Sequence, residues 1–227
     1  MLKPTLLLLL LLMTVSGSAV TASNTARCDL GLDTVVYLQE IVVYPEKQKY
    51  NSITPKTTRQ SISISNNKSY NFFVSRVPLI KEKTYRIRGV QFYFSVRGKS
   101  KGFYVLPLVY SSKNNTPHED LLKDSPVFFV DKNVKNRVYF DLSAYNLIFS
   151  GFSEFFVGID FPGRSENSDE TNLYIKGGIA TKEGVSYIKK RCYECPQTSF
   201  LRLEMPQSNK DVTLKYKLYY TEVKEEE

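Results

Sequence analysis

The chain has 227 residues and a formal net charge of +8 at pH 7, with 16 tyrosines, 14 phenylalanines and no tryptophan. This length suits one β-sandwich domain or two small ones and is sufficient to bury a core without disulfides. The basic residues are interspersed and match no nucleic-acid-binding module, so the charge does not indicate a nucleic-acid partner.

Residues 1–22 have the three parts of a secretory signal peptide. Lys3 precedes a leucine run at residues 6–12, and small residues dominate positions 16–22. The apolar run is too short to span a bilayer core, which needs about 20 residues. The sequence therefore predicts export to the periplasm, the outer surface or the medium, with no transmembrane segment in the mature chain.

Cys28 raises the question of lipid anchoring. A lipoprotein signal would place a small residue directly before the lipidated cysteine, and Arg27 stands there instead. We therefore expect ordinary cleavage after Ala22, which leaves Cys28 near the mature N-terminus.

Residues 23–60 are predicted to form an N-terminal β segment and a linker. An apolar stretch at residues 35–44 ends at Pro45 and predicts a short β segment. Polar residues with Pro55 then continue to residue 60, a composition that is typical of a linker or long loop.

From residue 61 the apolar residues recur with period two, which predicts β-strands. The clearest strand is expected over residues 85–97, where Phe92 and Phe94 face one way and Tyr93 the other. Gly89 stands where the phase of that strand breaks and predicts a bulge or bend. Further strands are expected at residues 70–77, 103–110, 127–130, 137–142, 155–161, 173–175, 200–205 and 212–220.

No segment carries a long apolar stripe of helical period, and only single turns are expected near residues 121–122 and 143–147. Many short strands separated by turn signals are typical of an antiparallel architecture. The sequence therefore predicts an all-β fold, an antiparallel β-sandwich of jelly-roll type, over residues 61–223.

Four short motifs between residues 86 and 161 carry a resemblance to a known family. They are Asp120-Leu121-Leu122, Asp141-Leu142-Ser143, Tyr145-Asn146 and Phe156-Val157-Gly158. In this order the block resembles a β-sandwich region that follows carboxypeptidase-regulatory-like domains in secreted and surface proteins of Gram-negative bacteria. Residues 39–43 resemble the segment that joins the two regions in longer relatives. The resemblance implies a fold and a compartment, because the family has no settled activity.

The same motifs have a physical interpretation of their own. Asp141 and Ser143 are short polar side chains that can bond backbone N–H groups where a strand ends. Asp120 can cap the turn that follows it. Gly158 inside a strand is suited to a close backbone approach. These are roles in building the fold.

Cys192 and Cys195 form the sharpest local motif, a Cys-x-x-Cys followed by Pro196. An exported protein retains disulfides, so we predict a Cys192–Cys195 disulfide that pins a loop. The alternatives are pairing of one of them with Cys28, a metal site that would need His118 and Cys28 as further ligands, and free or redox-active thiols.

Catalytic signals are weak. His118 is the only histidine, and it lies in a polar loop without a nucleophile motif. We therefore predict no enzymatic activity, no catalytic residues, no cofactor and no metal, with a calcium ion at the oxygen-rich residues 165–170 as an alternative. A glycoside hydrolase is the alternative activity, although no spacing singles out a pair among the candidate carboxylates Glu119, Asp120, Asp141, Glu154 and Asp160.

Tyrosines supply the remaining functional signal. Exposed tyrosine rings stack on sugars and contact protein partners, whereas packing within the sandwich is the structural alternative. The sequence thus predicts an exported, non-enzymatic binding or structural module for a glycan or an envelope protein. An accessory subunit of an outer-membrane complex is a further alternative. The candidate ligand-binding residues are Tyr93, Tyr104, Tyr110, Tyr139 and Tyr174.

Overall fold

The computed structural model describes residues 38–39, 50–65, 72–98, 102–123, 127–131, 137–162, 171–181, 184–189, 199–206 and 208–223. The predicted signal peptide, Cys28, Cys192, Cys195 and residues 165–170 lie outside this part of the chain. The strands in chain order are β1 (Leu38–Gln39), β2 (Asn51–Ile53), β3 (Thr57–Ser65), β4 (Phe72–Pro78), β5 (Thr84–Gly98), β6 (Gly102–Lys113), β7 (Thr116–Asp120), β8 (Val127–Asp131), β9 (Arg137–Asp141), β10 (Ile148–Phe149), β11 (Glu154–Asp160), β12 (Thr171–Ala180), β13 (Ser186–Lys189), β14 (Leu201–Arg202), β15 (Val212–Leu214) and β16 (Tyr216–Val223).

The strands form two sheets. Sheet I has the order β1-β8-β6-β11-β4-β13-β14, with β7 paired to β6. Sheet II has the order β15-β12-β5-β16-β2, with β3 paired to β12 and with β9 and β10 paired to β5. Every pairing is antiparallel except the short parallel contact between β1 and β8. The predicted all-β antiparallel sandwich is therefore confirmed, and its jelly-roll type stays a prediction.

The main core lies between the sheets and is rich in phenylalanine. Alternation along β5 and β9 turns Val90, Phe92 and Phe140 inward, where each is fully buried. The rings of Phe92 and Phe140 are 6.3 Å apart, and Phe128 from sheet I lies 5.1 Å from Phe140. Tilted and edge-on ring contacts of this kind add to the free energy gained by burying the rings.

Strands β6 and β11 lie inside sheet I, and all seven residues of β11 are buried. A second apolar cluster explains this two-sided burial. Val74, Leu108, Tyr110 and Phe156 form it on the outer side of sheet I, and Phe200 packs against it. The prediction that residues 103–110 form a central strand is confirmed.

Several local predictions also hold. A register shift opposite Gly89, between Tyr219 and Tyr220 of β16, confirms the predicted bulge in β5. A single 3₁₀ turn covers Ser143–Tyr145, within the turn expected at residues 143–147. The Asp141 Oδ1 atom accepts a hydrogen bond of 2.8 Å from the Ser143 N–H, which confirms the predicted polar contact at this strand end.

The predicted boundary at residue 61 differs from the structure. Residues 51–53 form β2, which pairs with β16, and β3 begins at residue 57 and pairs with β12. Residues 50–60 thus include two strand segments of sheet II, whereas the sequence pattern assigns this stretch to a linker. Both segments are held by backbone pairing, and a single apolar residue, Ile53, is too little to predict a strand from the sequence.

Candidate binding face

The outer side of sheet II gathers four half-buried tyrosines. Directly paired residues of antiparallel strands point to the same side of a sheet. Gln91 of β5 pairs with Tyr139 of β9 on one edge and with Lys217 of β16 on the other, and Ser95 pairs with Tyr174 of β12. Alternation along the strands adds the remaining members. We call this surface the tyrosine–lysine face, and it comprises Tyr93, Tyr139, Tyr174, Tyr219, Lys176, Lys215 and Lys217.

The β5 bulge shapes the centre of this face. The Tyr139 side chain lies directly over Gly89. A Cβ atom at position 89 would collide with the Tyr139 ring and would come within 2.6 Å of the Phe140 carbonyl oxygen. The Tyr139 hydroxyl points to the Arg88 carbonyl oxygen at 3.4 Å. Its ring meets Tyr219 edge-on, with 5.4 Å between the centroids. A glycine in the strand thus lets two tyrosines from different strands join into one aromatic surface.

Three lysines lie beside these rings, and two of them have serine hydroxyls as partners. The Lys176 Nζ donates to the Ser63 hydroxyl at 3.0 Å, and the Lys215 Nζ donates to the Ser61 hydroxyl at 3.3 Å. The backbone N–H of Lys215 donates to the Lys176 carbonyl at 2.8 Å, so the two residues are neighbours. The Lys217 Nζ lies 5.0 Å from the centroid of the Tyr219 ring, within the range of a cation–π contact.

The charge on this face is strongly one-sided. Among the described residues, alternation places only one carboxylate here, Asp141, and that carboxylate accepts from the Ser143 N–H in the turn. Six basic side chains share the surface: Arg86, Arg88, Arg137, Lys176, Lys215 and Lys217.

On sheet I, two arginines of the outer side are paired with carboxylates, whereas Lys189 lies over the rings of Phe72 and Phe200. Arg76 forms an ion pair with the buried Glu154. Arg202 donates two hydrogen bonds to Asp211, of 2.5 and 2.6 Å. The three lysines of the tyrosine–lysine face, in contrast, have serine hydroxyls or an aromatic ring as partners and no carboxylate among the described residues.

The five tyrosines predicted as ligand-binding residues fall on two different sheets. Tyr93, Tyr139 and Tyr174 share the outer side of sheet II. Tyr104 lies on sheet I, where its ring is 5.2 Å from that of Phe129.

Tyr110 is unsuited to ligand binding, because it is 7% exposed and packs edge-on against Phe200 at 5.3 Å. Burial raises its pKa. The prediction that it offers an exposed ring is thus corrected, since the second apolar cluster covers it.

Tyr219 and the three lysines of the face were not among the residues predicted for the candidate site. The signal was present, because alternation over residues 212–220 turns Lys215 and Lys217 outward and carries Tyr219 with them. Nothing in the sequence pairs this strand with β5 or β9, so nothing in it brings Tyr219 to Tyr139.

The carboxylates proposed for a hydrolase have separate structural environments. Glu154 and Asp160 are both buried but stand at opposite ends of β11. A strand rises about 3.3 Å per residue, which separates them by roughly 20 Å, well beyond the spacing of about 5–9.5 Å that glycoside hydrolysis requires. Asp120 Oδ1 accepts from the Leu122 N–H at 2.9 Å, which confirms its predicted backbone contact, but residues 121–123 form no helical turn. Glu119 is exposed and lies 3.7 Å from the Lys123 ammonium.

His118 is exposed on β7. No group of three or more histidine, cysteine, aspartate or glutamate side chains that could hold a metal occurs within the described ranges.

A cavity of about 450 Å³ opens at one end of the sandwich. The turn between β2 and β3, the end of β4 and Tyr216 form its walls. Its lining is mainly apolar, and the guanidinium of Arg76, which reaches it, is engaged by Glu154. The sequence pattern does not predict this cavity, because the turn between β2 and β3, which forms one wall, falls in the predicted linker.

Comparison of the chain with protein-family models, curated proteins and solved structures found no match. The resemblance drawn from the sequence motifs therefore stays a prediction. None of the helical segments that the structure describes is long and apolar enough to cross a membrane.

Proposed function

We propose that this chain is an exported, non-enzymatic β-sandwich module that binds glycan through its tyrosine–lysine face. The observation that carries the proposal is the cluster of tyrosines from β5, β9, β12 and β16 on one side of sheet II. Export rests on the signal-peptide pattern of residues 1–22, and a glycan is a ligand that an exported module would meet.

The arrangement of the rings supports sugar binding. A tyrosine ring offers an apolar face to the C–H groups of a sugar and a hydroxyl to its polar groups. The rings of Tyr139 and Tyr219 pack against each other, with 5.4 Å between their centroids. They therefore lose little conformational freedom when a ligand binds. The surrounding Gln91, Ser61 and Ser63 provide hydrogen-bonding groups along the same surface.

A panel of neutral and acidic polysaccharides in affinity gel electrophoresis, followed by calorimetry, tests the proposal. Tyr93→Ala combined with Tyr174→Ala should weaken glycan binding roughly thirtyfold, because each ring contributes about 1 kcal/mol of contact. Tyr104→Ala on sheet I is the matched control and should bind like the wild type. Equal thermal unfolding of all three proteins confirms that the fold is intact.

Two results would contradict this function. The first is the absence of retardation by every polysaccharide of the panel. The second is glycan binding that the Tyr93 and Tyr174 substitutions leave unchanged, since the ligand would then bind elsewhere.

A further inference from the structure

We infer that the tyrosine–lysine face selects acidic polysaccharides, chains whose sugars bear carboxylate or sulfate groups. The inference rests on the proposed function and adds the chemical class of the ligand. It is carried by the three lysines, which the glycan proposal does not itself require.

The lysines form a compact positive cluster. Lys215 and Lys217 occupy alternate positions on one side of the chain, which places them roughly 7 Å apart, and Lys176 stands on the neighbouring strand about 5 Å from Lys215. Arg137, which is exposed, pairs with Tyr93 at the other side of β5. Positive charge thus borders the tyrosines along two sides.

The partners of these lysines indicate that no carboxylate among the described residues compensates their charge. Serine hydroxyls accept from Lys176 and Lys215, and an aromatic ring lies beside Lys217. A hydroxyl carries no charge, so the ammonium groups repel one another across the sheet, as like charges on neighbouring strands do. A bound polyanion would reduce this repulsion and would itself be attracted to the ammonium groups.

The tyrosines favour a glycan over other polyanions. Sugar rings present C–H faces that pack on tyrosine, and acidic sugars carry their charges beside those faces, as the lysines lie beside the rings. A bilayer would need protruding apolar side chains, whereas the four tyrosines are half-buried in the sheet surface. A nucleic acid is not expected for a chain with an export signal.

The experiment compares polymers that share a backbone and differ in charge. Binding is measured by calorimetry for dextran sulfate against dextran and for carboxymethyl cellulose against hydroxyethyl cellulose. We expect the wild type to prefer the charged member of each pair by about tenfold or more, with an affinity that falls as salt is added.

The lysine variant is Lys176→Gln/Lys215→Gln/Lys217→Gln. We expect it to lose about tenfold or more in affinity for the charged polymers and to retain the weaker binding of the neutral ones. The matched control is Lys81→Gln/Lys113→Gln/Lys210→Gln, which changes the net charge equally at exposed positions outside the face and should bind like the wild type.

The lysine variant should also unfold at the same or a higher urea concentration than the wild type at low salt, because the repulsion between the ammonium groups is removed. A purely structural role for the lysines would lower that concentration.

Contrary outcomes separate the inference from the function it rests on. Equal binding of charged and neutral polymers, with no effect of the lysine variant, overturns the inference and leaves glycan binding intact. Failure to bind any polysaccharide overturns both. Equally tight binding of oligothymidine or of phosphatidylglycerol vesicles overturns the inference, since the face would then recognise polyanions in general.

Discussion

The Ser75 hydroxyl of sheet I accepts a hydrogen bond of 2.9 Å from the backbone N–H of Leu214 in sheet II. The Ser186 hydroxyl contacts Ser75 and lies 3.1 Å from the same N–H. Ser75, Ser186 and Thr213 are all fully buried. Three hydroxyls from β4, β13 and β15 therefore bridge the two sheets inside an otherwise apolar core.

Removal of this bridge should destabilise the sandwich. Ser75→Ala deletes an acceptor for a buried N–H group and leaves Ser186 without its hydroxyl partner. A buried polar group that loses its partner costs about 1–3 kcal/mol. Urea unfolding should show this loss in the free energy of unfolding, whereas Ser52→Ala on the exposed surface of β2 should have almost no effect. Equal stability of the two variants would contradict a bridging role.

A second polar contact on sheet I should respond in a different way. Glu154 is buried, pairs with Arg76 and accepts a 2.5 Å hydrogen bond from the Ser112 hydroxyl. Arg76→Met alone leaves a buried carboxylate without its cation, which should cost about 2–4 kcal/mol of unfolding free energy. Arg76→Met/Glu154→Met removes both charges and should recover part of that loss. A double variant that is less stable than Arg76→Met would contradict this account of the pair.

The strands that the sequence predicted correctly have one side in the main core. Alternation along β5 and β9 follows directly from that burial, so Phe92 and Phe140 mark their strands. Strand β2 and the start of β3 lie on the periphery of sheet II and are held by backbone hydrogen bonds. Apart from Ile53, which packs against the core, their side chains are polar, so these segments show no alternation of apolar and polar residues in the sequence.

The candidate face was only partly predictable for a related reason. The alternation of apolar and polar residues indicates which side of its own strand a residue occupies, and it correctly predicted that Tyr93 and Tyr139 face outward. It does not state which sheet a strand joins, so it could not separate them from Tyr104. The burial of Tyr110 depends on Phe200, which is ninety residues away in the chain. Contacts of that range leave no local pattern.

The glycine at position 158 should not tolerate a side chain. It lies at the centre of β11, where an added methyl group would collide with the Phe73 carbonyl oxygen and with Val74. Overpacking of this kind costs about 1–3 kcal/mol or more, and backbone atoms cannot move aside cheaply. Gly158→Ala should therefore unfold at clearly lower urea concentration than the wild type or accumulate as insoluble protein.

The matched control for this substitution is Gly151→Asn. Gly151 has a φ of 73° and open space around its Cα, and asparagine tolerates that backbone conformation. The control should remain close to the wild type in stability. A Gly158→Ala protein as stable as the control would mean that β4 and β11 can separate without cost.

Asp120 should make the stability of the protein depend on pH. Burial raises the pKa of its carboxyl from the ordinary value of 3.8, and the hydrogen bond from the Leu122 N–H opposes that shift only in part. Between the unfolded and the raised folded pKa, the folded protein binds more protons than the unfolded chain. The free energy of unfolding therefore falls as pH rises through this window, and the destabilisation by the buried Asp120 carboxylate is complete above it.

Asp120→Asn keeps an oxygen acceptor for Leu122 and removes the titration. The variant should gain stability relative to the wild type as urea unfolding is repeated from about pH 3 to about pH 7, and parallel profiles for the two proteins would refute the role of burial.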